Sequence, residues 1–183
     1  MNAETVSLLL SGATLVVVAT AAVAAIVQLR HLRTSNQLSA LLELLHQWNQ
    51  PALQTAYGVF TRTVDDKLID PEYVKLLRAG RTVDRESHPE FLVLDLWEQV
   101  GTYAKHGLID EAIVLDIVSA QVLNAWKRCE PVVAILRERG GPATCENFEY
   151  LAARSALWTR EHADGSYPRG TPRMADLNPR ASS

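Results

Sequence analysis

Charge is missing from the whole stretch Thr5 to Leu29, TVSLLLSGATLVVVATAAVAAIVQL, and so is proline. A soluble helix buried in a core should be shorter than this uncharged run, so the absence points away from that alternative. Roughly 24 helical residues at ~1.5 Å each reach ~36 Å, enough to cross a hydrocarbon core of ~30 Å. Lys and Arg are also lacking from the start, MNAET, where a cleavable leader places them. Ala19, Ala21, Ala22 and Ala24 imitate a small-residue cleavage site, but the expectation is a retained anchor. Cysteine is scarce, with only Cys129 and Cys145 and no CxxC, which leaves two small hydrophobes, reduced in a cytoplasmic setting. Clustered base is absent too. Lys and Arg number 18 against 21 Asp and Glu, scattered along a chain of net charge -3, so no nucleic acid partner is expected. No nucleophile-base, zinc, phosphate-loop or dinucleotide pattern occurs; Gly140-Gly141-Pro142 is followed by no GK[ST] and reads as a turn. No cofactor is implied.

What is present sets the topology. A bilayer offers no water to backbone groups, so the uncharged stretch must span as a helix. Arg30 and Arg33 follow it and nothing basic precedes it, which predicts an outside N-terminus and a cytoplasmic remainder at a cell (inner) membrane. Ser7, Ser11, Thr14, Val18, Ala21 and Ala25 fall on one face, where small side chains admit a second helix, although no GxxxG is present. Helix can continue from Gln28 to Gln50, and Leu38, Leu41, Leu42, Leu45 and Trp48 make an apolar stripe there. That stripe fits either a short coiled coil or packing back onto the domain.

Cap signals then divide the chain into short helices. Pro51 starts ALQTAYGVFTRTV, and Asp70-Pro71 starts PEYVKLLRA, which should stop at Gly80. Ser87-His88-Pro89-Glu90 has the form of a capping box before FLVLDLWEQVGTYAKH. Gly107 ends that helix and Asp110 caps EAIVLDIVSAQVLNAWKRC, with Ile109 and Val114 as a staple, so the two should form an antiparallel hairpin at the centre of the fold. Pro131 either kinks this helix or starts PVVAILRERG. Thr144 can cap a last helix, CENFEYLAARSALWTREH. Asp164 to Ser183, rich in Pro and Gly, should be disordered.

Four side chains are candidates for chemistry. Asp95, Glu98 and His106 share one side of the first hairpin helix with Thr102, and Asp116 lies on the second. Antiparallel pairing would set Thr102 near Asp116 and Glu98 near Ser119, and paired carboxylates at that distance can do acid-base work or hold a divalent ion. The alternative is a solvated edge of two amphipathic helices. Glu43 and His46 form an ExxH, but a di-iron bundle needs a second copy and none occurs, so no metal is expected.

The segments LWEQVGTYAKHGLIDEAIVLDIV, NAWKRCEP and ENFEYLA resemble a bacterial family of short single-pass membrane proteins with a small helical domain of unknown function. The resemblance covers about Gln28 to Arg160, and its most specific pieces are the Gly107 to Asp110 turn and the Asn147-Phe148-Glu149 step. It implies a shared fold and carries no catalytic residues.

The resulting expectation is an all-α protein: an anchor at residues 1–29, a juxtamembrane helix at 30–50, a helical domain at 51–163 and a tail at 164–183. Its partners would be membrane lipid through the N-terminal helix and another protein or a second copy. The leading role is a membrane-tethered interaction or scaffold module; the alternatives are a small membrane-bound hydrolase using helix-borne carboxylates and a single-pass sensor.

Overall fold

The computed structural model describes residues 2–79 and 83–177. Among them there is no strand. The helices are α1 (Ala3–Trp48), α2 (Pro51–Lys67), α3 (Pro71–Ala79), α4 (Glu90–Lys105), α5 (Glu111–Gly140), α6 (Glu146–Glu161) and the one-turn α7 (Met174–Leu177). The chain divides into two compact units, Met1–Gln47 and Trp48–Ser183.

The first unit is helix α1, unbroken past Arg30 because no proline or glycine interrupts it there. Its stretch from Leu10 is long and apolar enough to cross a membrane, with mean hydropathy 2.3 in an 18-residue window that is wholly unburied. The hydroxyls of Thr14 and Thr20 donate back to the carbonyls of Leu10 and Val16 at 2.9 and 2.8 Å, which satisfies them without water.

The second unit is a helical bundle. Its core gathers Phe60 and Val64 from α2, Leu77 from α3, Trp97 from α4, Val122 and Val132 from α5, and Phe148 and Leu151 from α6. Aromatic rings join these layers. Phe148 stacks on Trp97 at 6.4 Å and meets Trp126 edge-on at 5.0 Å, while Trp48 lies 5.4 Å from Trp97.

The expected α4–α5 hairpin is present, but α6 is the centre, since α4 and α5 each pack more extensively against it than against each other. Gly101 explains why α6 comes so close: a Cβ there would stand 2.0 Å from the Asn147 carbonyl oxygen.

Local punctuation follows the sequence at several points. Pro71 opens α3 with Asp70 Oδ1 accepting from the Glu72 N–H at 3.0 Å, and Asp110 caps α5 through the Ile113 N–H at 3.2 Å. Gly107 takes φ 66° after α4, and Gly141 takes φ 73° after α5.

Of the two readings of Pro131, the structure excludes a new helix: Pro131 stays inside α5, where its missing N–H removes the donor for the Lys127 carbonyl. Elsewhere the structure corrects the expectation. Thr144 does not cap α6; the N-cap is Cys145, in the left-handed region at φ 56° and without a side-chain cap bond. The Ser87-x-x-Glu90 box does not form. The Ser87 hydroxyl donates to Asp84 at 2.7 Å instead, and the N-cap of α4 is Pro89. The stop expected at Gly80 lies outside the described residues, as do residues 178–183 of the tail. Within the tail, the Tyr167 hydroxyl donates to the Pro172 carbonyl at 3.1 Å, and the Arg173 guanidinium sits 4.6 Å over the Tyr167 ring.

Because the Asn147 backbone cannot retreat without moving α6, Gly101→Ala should destabilise the bundle by about 1–3 kcal/mol, the usual range for overpacking. Thermal melts of purified full-length protein check this; an unchanged melting temperature would show that the close crossing is not required.

Candidate functional site

Glu90 is the one carboxylate among the described residues that is fully buried, 2% exposed at the first position of α4. Burial of a charge demands partners, and three elements supply them. Lys67, at the end of α2, places Nζ 2.8 Å from Glu90 Oε2, and the ring of His88 places Nδ1 3.2 Å from Oε1. Tyr73 of α3 stacks on His88 with ring centres 5.5 Å apart. Its buried hydroxyl stands by Glu90 without completing a hydrogen bond.

Burial pushes the Glu90 carboxyl upward, but the Lys67 bond and its own backbone N–H outweigh this and hold it below the ordinary carboxylate value. Burial and the neighbouring Glu90 charge push the Tyr73 phenol well up, so it stays neutral. Beside the cluster opens a cavity of about 340 Å³, lined by Lys67, Asp70, Glu72, Tyr73, Leu76 and His88. A carboxylate holding an imidazole can relay a proton. The lining offers no Ser, Thr or Cys to act as a nucleophile, and the cluster joins α2, α3 and α4.

The four side chains singled out from the sequence are engaged separately. Glu98 reaches the N-terminus of α6: its oxygens accept from the Phe148 N–H at 2.8 Å, the Asn147 side-chain amide at 2.8 Å and the Asn147 N–H at 3.4 Å. This carboxylate replaces the cap that Cys145 does not provide and sits where the helix dipole favours a negative charge. Asp95 accepts two bonds from Arg85, at 2.9 and 3.2 Å. Asp116 is exposed and accepts from the Ser166 hydroxyl. His106 is the exposed C-cap of α4. Thr102, expected opposite Asp116, donates to the Glu98 carbonyl of its own helix.

Sequence reasoning missed Glu90, Lys67, His88 and Tyr73, because the box pattern assigned Glu90 to a local cap. It also missed Glu111, which accepts from Tyr150 at 2.7 Å and from two Arg154 nitrogens at 3.0 and 2.7 Å, fastening α5 to α6. Among the described residues no group of three or more His, Cys, Asp or Glu could hold a metal ion.

These features define an all-helical domain whose polar groups are spent on joining helices, in a chain that also carries one long, exposed apolar helix. Residues 15–155 match the model of DUF4760, a domain of unknown function, and the chain belongs to that family. The match begins within α1 and ends within α6. No curated protein and no solved structure matches the chain significantly.

Two predictions follow from the carboxylates. Lys67→Met should cost about 3 kcal/mol, the low end for breaking a buried pair because Lys67 is 25% exposed. With its folded-state pKa below the ordinary 4.5, Glu90 contributes stability that is complete above that value and lost as pH falls through the folded pKa. Denaturant titrations from pH 7 to 3 should therefore show a shallower acid loss for Glu90→Gln than for the parent; parallel curves would exclude this linkage.

Burial foremost, then the Glu98 charge, pushes the Cys145 thiol up to about 11. Glu98→Gln should therefore raise the rate at which Cys145 reacts with a disulfide reagent at pH 8, measured in a Cys129→Ala background. An unchanged or slower rate would remove Glu98 as the cause.

Proposed function

We propose that this chain is a single-pass, membrane-tethered helical module that presents a small domain to a partner at the cytoplasmic face of a cell membrane, with its N-terminus outside. The observation that carries the reading is the apolar part of α1, long enough to span and with none of its most apolar window buried. Such a surface is costly in water and matched to lipid. Three further features support it. The family match starts at residue 15, inside this helix, so the family model takes in part of the apolar segment along with the domain. Arg30 and Arg33 follow the apolar stretch and no Lys or Arg precedes it, the distribution found when the C-terminal side stays in the cytoplasm. Glu98 and Asp95, two of the carboxylates singled out from the sequence, are held by a helix terminus and an arginine respectively, which favours a binding module over a hydrolase.

The test is fractionation with topology reporters. The full chain should stay with the membrane through an alkaline carbonate wash. A phosphatase fused after Ser183 should be inactive and a fluorescent protein at the same place bright. Release by carbonate would overturn the anchor, and an active phosphatase would overturn the orientation.

A further inference from the structure

We draw no further inference here: the strongest candidate, the cavity of about 340 Å³ that Lys67, Asp70, Glu72, Tyr73, Leu76 and His88 line beside the buried Glu90, belongs to the site already described, and its mixed lining of carboxylates, a lysine and an imidazole selects no one ligand chemistry.

Discussion

A carboxylate from one helix holding the start of another is the constraint on which the bundle depends. Helix α6 begins at a residue in the left-handed region whose side chain caps nothing, so its first N–H groups need an acceptor from elsewhere. Glu98 supplies it across the α4–α6 crossing. On the same face of α4, Gly101 removes the side chain that would collide with Asn147, and Lys105 bonds Glu146 at 2.9 Å and Asn147 at 3.1 Å. Positions 98, 101 and 105 are one, then another, turn apart on a single stripe. They fix where α6 starts, and with it where Phe148 enters between Trp97 and Trp126.

The division between what was legible in the sequence and what was not follows the range of the forces. Pro51, Pro71, Gly107 and Asp110 act on their own backbone or on one within a few residues, and each marks a helix end where the sequence places it. The Ser87-x-x-Glu90 pattern is also local, yet it failed, because the same carboxylate had a stronger use. Lys67, 23 residues back, reaches it inside the core, and a buried ion pair outcompetes a solvent-exposed cap. Glu98 shows the same limit over 50 residues: its position on the polar side of α4 was plain, but its partner was not. Sequence spacing reports which residues share a helix face and carries no information on which other helix that face meets.

The same long-range pairing shapes the functional reading. Carboxylates strung along two helices suggest acid-base chemistry when only their spacing is known. Once their partners are known, Asp95, Glu98 and Glu111 are joints between segments. Among the described residues, α1 is the one helix long and apolar enough to cross a membrane, and none of its most hydrophobic window is buried. A chain that commits its charge to holding a small domain together and leaves its longest helix bare is consistent with the membrane tether proposed above.

Charge pairs of two kinds perform that joining, and they do not contribute alike. Arg78 with Glu138 and Arg128 with Asp65 lie at the surface, where solvent and salt screen such pairs and leave them worth little. Glu90 is buried, and Glu98 accepts backbone N–H groups whose loss would strand the start of α6. A buried ion pair is a weak source of net stability, because desolvation offsets its attraction, but breaking it leaves a buried charge undercompensated. The value of these two carboxylates is therefore in selecting one arrangement of helices over its competitors. Apolar packing among Leu, Val and Trp would tolerate α6 in several registers; an acceptor that reaches only the Asn147 and Phe148 amides tolerates one.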